Sequence, residues 1–173
     1  DPSDGTMLTV AANGAGDAGA LTLVFAADGS LETFNTIRSP IAVEAGQTVA
    51  FDATLGNMEL DTYTDTAGRD EADISGAGAV RIIGADRFVA VASDLTHTGG
   101  TRVESGRFVV VANSYLPENG SDETGTLASQ GTMTVMAGAE LDLNGLDGDG
   151  NGGQTIGGLA GSGTVLLDGA TLT

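Results

Sequence analysis

The densest arrangement of oxygen ligands in this chain is Asp147-Gly148-Asp149-Gly150-Asn151-Gly152. Side-chain oxygens at the first, third and fifth positions, with glycine at the sixth, open the kind of loop that wraps a calcium ion: hard cations take oxygen, and the glycine permits the sharp bend. The twelfth position, where such a loop needs a bidentate Glu, is Gly158. Half of the cage is missing, so Asp147, Asp149 and Asn151 stand as a calcium candidate beside a plain glycine-rich turn.

A second set of acids, Asp61, Asp65, Asp70, Glu71 and Asp73, is dense enough for acid–base work on a polysaccharide. Glycosidic chemistry needs two carboxylates about 5 to 10 Å apart across a cleft, and spacing in sequence does not set that distance. Without it these are solvated loop acids. His97 is the only histidine and has Ser93 and Asp94 nearby, but no nucleophile-elbow motif accompanies them. It reads as a side chain flanking a turn, and no residue is assigned a catalytic role. The pairs Thr62/Thr64, Thr96/Thr98, Thr132/Thr134 and Thr171/Thr173 would suit an ice-binding face only in a common register. They lack one, so β-propensity accounts for them.

These residues sit in a chain of 173 with 24 acidic and 6 basic residues, a formal charge of −18. Every basic residue is Arg. Such a surface repels phosphate, which excludes nucleic acid and anionic membranes as partners. Without cysteine there is neither a disulfide framework nor a thiolate metal site. No apolar run approaches the ~20 residues that span a bilayer, and Asp1-Pro2-Ser3-Asp4-Gly5 is not a signal peptide, so a mature or excised fragment is expected. With no Trp, 5 Phe and 2 Tyr, bulky core residues are scarce, which suits a narrow core of Val, Leu, Ile and Ala. The 28 Gly follow no three-residue period and instead fall between β-type runs, as in a turn-rich β protein.

The elements that position the candidates are short strands. Residues 7–10 and 21–25 are β-type runs within a first segment, 1–40, expected to be a cap or irregular first rungs; residues 41–173 hold the repeat rungs of the same single domain. No helical spacing of apolar residues persists. Val43-Glu44-Ala45-Gly46, Val103-Glu104-Ser105-Gly106 and Val135-Met136-Ala137-Gly138 each precede a β-type run, at 48–51, 108–111 and 140–143. Ile74-Ser75-Gly76-Ala77-Gly78-Ala79-Val80 matches Leu159-Ala160-Gly161-Ser162-Gly163-Thr164-Val165. Alternation points Phe108, Val110, Leu141 and Leu143 inward, whereas the run 87–91 fits either face. Irregular spacing between copies implies insertions, read as 52–73, 112–131 and 144–158, on a stacked-turn scaffold.

Four motifs in order resemble the passenger-associated repeat of autotransporters: a glycine-rich strand at 74–91, Thr98-Gly99-Gly100-Thr101, Val103-Glu104-Ser105-Gly106 and a short apolar strand at 108–111. The stretches 133–145 and 154–165 are similar to that family's next rungs. The resemblance covers 74–173 well, 41–52 less so and 1–40 hardly. His97 departs from it, standing where the family often has an aromatic residue, and the loop at 147–151 is longer and more acidic. The resemblance implies an all-β fold, a right-handed parallel β-helix with loop insertions. It also implies display at, or release from, the outer membrane of a Gram-negative bacterium, with a C-terminal translocator barrel in the full-length protein.

The expected function is non-enzymatic: a surface-exposed adhesin or its stalk. Its expected partner is a protein or glycan on a host or neighbouring cell. The alternatives are a secreted polysaccharide lyase or hydrolase on the same fold, and a self-associating surface protein. A deep groove lined by clustered Asp, Glu and Arg would favour the enzyme.

Overall fold

The computed structural model describes residues 8–11, 20–24, 35–37, 40–60, 74–91, 94–110, 125–143, 153–167 and 169–173. Among them there is no helix, and the strands pair in parallel. The chain is laid down in successive turns. The first holds β1 (Leu8–Val10), β2 (Ala20–Val24) and β3 (Asn35–Ile37); the second β4 (Ile41–Val43), β5 (Thr48–Asp52) and β6 (Met58–Leu60); the third β7 (Ile74–Ser75), β8 (Ala79–Ile83) and β9 (Phe88–Val91). Then come β10 (Thr101–Val103) with β11 (Arg107–Val110), and β12 (Thr132–Val135) with β13 (Glu140–Asp142). Last are β14 (Gly153–Gln154), β15 (Gly158–Gly161), β16 (Thr164–Leu166) and β17 (Thr171–Leu172).

Each turn adds one strand to sheet B and one to sheet C, and the first three turns also add one to sheet A. Sheet A is β1-β4-β7, sheet B runs β2-β5-β8-β10-β12-β15, sheet C runs β3-β6-β9-β11-β13-β16, and β14 pairs with β17. Parallel neighbours need a long crossover, and here the strands of the other sheets supply it. The described strands of residues 1–40 enter these same sheets as their first members.

Alternation fills the interior. In sheet B, Val49, Val80, Thr101 and Met133 lie in register in one column, and Phe51, Ile82, Val103 and Val135 in another. In sheet C, Met58, Val89, Phe108 and Leu141 form a third. All are buried. Phe108, Val110, Leu141 and Leu143 are core residues, as the sequence pattern requires, and the run 87–91 resolves with Val89 and Val91 in the core. Each such side chain contributes about 1.5 to 3 kcal/mol by leaving water. The other face of sheet C is also covered: Glu59, Ala90, Val109 and Asp142 lie in one register line and all four are buried. Asp142 there meets Arg107, whose Nη2 lies 2.6 Å from Oδ2, while Arg107 Nε donates to Glu140 Oε1 at 2.6 Å.

Three expectations are corrected. The first proposed insertion begins too early and the other two end too late, because β6, residues 125–131 and β14 belong to the sheets or the core, with Leu127 and Ala128 buried. What remains of the insertions leaves the end of a sheet C strand each time. The Val-x-x-Gly copies also occupy different corners: that of Val43 joins sheet A to sheet B, those of Val103 and Val135 join B to C. Gly46, Gly106 and Gly138 share positive φ values of +78°, +72° and +81°, so one turn type serves both corners. Likewise Gly76 stacks on Val43 at one corner as Gly161 stacks on Val135 at the other, which explains why spacing between copies is irregular. The third correction concerns His97 and is given with the site.

Between the third turn and β14, the described residues of the sheet A side are joined by the isolated bridges Ile74 with Leu95 and Asp94 with Thr126. Gln154, 2% exposed, completes it with its side chain: Nε2 donates to the Gly125 carbonyl at 2.9 Å and Oε1 accepts from the Leu127 N–H at 2.7 Å. Gln154→Leu keeps the bulk but leaves two buried backbone groups without this partner. The expected cost is about 2 kcal/mol, read as a lower urea midpoint at constant m.

Candidate functional site

The outer face of sheet B carries a shallow, open groove of about 450 Å³. Because Val80 and Ile82 point inward from β8, and Thr101 and Val103 from β10, the pleat turns Arg81 and Arg102 outward. Arg81 and Arg102 are register partners. The rim is made of Thr48, Thr132 and Thr134 from neighbouring strands, Thr98 of the Thr-Gly-Gly-Thr turn, and Gln130.

Two guanidinium groups side by side repel, and Glu104 offsets this. Arg81 binds it through two contacts, Nε to Oε1 at 3.1 Å and Nη2 to Oε2 at 2.7 Å, and Arg102 adds Nε to Oε1 at 3.0 Å. The hydrogen bond from Arg81, reinforced by Arg102, holds the Glu104 carboxyl below the usual carboxylate range against the opposite push of burial. Arg102 gives Glu104 only its Nε, and its side chain is 48% exposed, leaving its terminal N–H groups for another acceptor. Two cations against one anion make this a local positive spot on a chain of net charge −18.

The turn that bounds the groove is fixed from below by His97. The sequence reading places this residue at a turn flank with no further role; the structure buries it completely, with Nε2 2.8 Å from Thr101 Oγ1. Thr101 is the polar member of an apolar column, and His97 satisfies it. Nδ1 finds no hydrogen-bond partner. Burial pushes the His97 pKa down to about 4, and the nearby Gly100 backbone offsets only part of that. A neutral imidazole sealed from solvent and bonded to Thr101 holds the turn in place.

Asp94 accepts a hydrogen bond from Thr126 Oγ1 at 2.6 Å. Ser93, the acids Asp61, Asp65, Asp70, Glu71 and Asp73, and the calcium candidates Asp147, Asp149 and Asn151 lie outside the described residues. Among the described residues no three His, Cys, Asp or Glu side chains converge in a metal-binding group. Sequence reasoning does not single out Arg81 and Arg102, although each stands between inward β-branched or threonine positions and only six arginines exist in the chain. What sequence alone does not supply is the register that makes them neighbours. Compared with known proteins, the chain matches no family model, no curated protein and no solved structure.

Proposed function

We propose that this chain is a segment of a right-handed parallel β-helix, exported and displayed at the surface of a Gram-negative cell as an adhesin or as the rigid stalk of one, in the manner of autotransporter passengers. The observation that carries the reading is the order of strands, in which each turn of chain adds in register to the same sheets. A strand returning to a parallel neighbour does so with right-handed connection in nearly all proteins. Such a stack gives reach and rigidity without a large core. The acid-rich connections at residues 61–73, 111–124 and 144–152 each follow a sheet C strand in the sequence. The sheet B groove is open and the described residues that line it include no carboxylate, which suits recognition better than hydrolysis.

The partner under this reading is a protein or glycan of a host or neighbouring cell. The test is to fuse the chain ahead of a translocator barrel in a Gram-negative host and treat intact cells with external protease. The expected result is removal of the chain from intact cells and gain of adhesion relative to the barrel alone. Retention of the chain inside the envelope counts against display, and display without adhesion assigns it to the stalk.

A further inference from the structure

We propose that the sheet B groove binds a saccharide carrying a single carboxylate, with the carboxylate on Arg102 and the sugar hydroxyls on the threonine rim. The inference rests on the adhesin reading and names its ligand class, but the groove chemistry carries it. A guanidinium offers a planar fork of N–H donors that matches a carboxylate in two parallel hydrogen bonds. Arg81 already spends its fork on Glu104, whereas Arg102 contributes only Nε. The unmatched positive charge therefore resides at Arg102, which lines the groove.

Around it stand Thr48, Thr98, Thr132, Thr134 and Gln130. Each hydroxyl is both donor and acceptor, and the amide supplies both functions from separate atoms. That rim pairs with a ligand rich in hydroxyls. It offers little to a peptide, because its aliphatic lining is confined to Ala79 and Val80. The volume of about 450 Å³ lies in the range of small-ligand sites.

Net charge then selects among acidic sugars. A chain of −18 repels a polyanion over its whole surface, so a densely sulfated polymer is disfavoured despite the local positive spot. A neutral oligosaccharide with one carboxylate meets the spot and avoids most of the field. The described residues of the groove supply no aromatic stacking platform, so single-site affinity is weak and useful attachment comes from many copies on a surface.

The experiment uses the full chain, titrated by NMR or calorimetry with sialyllactose, lactose and heparin at millimolar concentration. Sialyllactose is expected to bind and to perturb the groove, with lactose at least about tenfold weaker, the size of one charged hydrogen-bonded contact. Arg102→Gln, a half-exposed position whose folding is checked by circular dichroism, is expected to weaken sialyllactose by the same factor. Thr132→Val with Thr134→Val is expected to weaken both saccharides. Equal binding of lactose and sialyllactose, unchanged binding by Arg102→Gln, or preference for heparin would each overturn the proposal. None of these results touches export or display, which the protease assay on cells decides separately.

Discussion

Gly106→Ala is expected to lose more than about 4 kcal/mol of stability, enough to unfold much of a domain of ordinary stability. Gly106 closes the corner between β10 and β11 with φ +72°, a left-handed conformation that costs other residues about 1 kcal/mol or more. A Cβ there would also overlap the Gly84 carbonyl oxygen and lie 2.7 Å from that of Arg87, both backbone atoms of the turn beneath. Backbone held by two ladders cannot step aside as the tip of a side chain would. The matching corner of Gly138 is an internal control: its φ is +81°, yet nothing lies within 4 Å of its added Cβ. Gly138→Ala therefore carries the conformational term alone, about 1 kcal/mol. Urea unfolding of the two variants side by side measures the difference. If both variants unfold at the same midpoint, the seating of the Gly106 corner on Gly84 is wrong.

His97 makes the second large prediction. Its folded pKa of about 4 lies below its ordinary value of 6.5. Between those values the unfolded chain binds a proton that the folded chain refuses, so stability falls as the medium is acidified. The full contribution is present above about pH 6.5 and is lost as pH falls toward 4. The gap corresponds to about 3 kcal/mol. Glu104 acts in the same direction but lower, since its stabilisation is present above the usual carboxylate range and is lost as pH falls through its depressed value. His97→Gln keeps a donor for Thr101 and removes the titration. Its stability measured from pH 7 to pH 4 is expected to run nearly flat where the parent declines, and a parallel decline in both proteins would assign the slope to other groups.

The fold class was legible because Phe108, Val110, Leu141 and Leu143 alternate with polar or outward residues, and a pleated strand has only two faces. The turns were legible because Gly46, Gly106 and Gly138 recur after the same Val-x-x pattern. Which corner each turn occupies was not, since the same local turn serves the A-to-B and B-to-C bends and only the pairing of strands decides. Residues 58–60 and 125–131 read as parts of insertions for a related reason. Glu59 interrupts the apolar run of β6, and Leu127 and Ala128 enter the core without a regular strand around them. His97 was missed because burial of a histidine depends on one partner, Thr101, whose inward orientation the Thr-Gly-Gly-Thr motif does not announce. The arginine pair in the groove was visible residue by residue but not as a pair.

The step of one strand in sheet B and one in sheet C with every turn has a mechanical consequence. Among the described strands each turn pairs with the turns beside it, so tension along the stack loads one turn against the next. Wherever a stack of this kind has an open end, the turn there is held by ladders on one side only and is the first to detach. Successive register partners Val80, Thr101, Met133 and Leu159 lie roughly 20 to 30 residues apart, and each detachment would pay out on the order of 70 to 110 Å of slack chain. A molecule built this way lengthens under shear in discrete steps before it breaks.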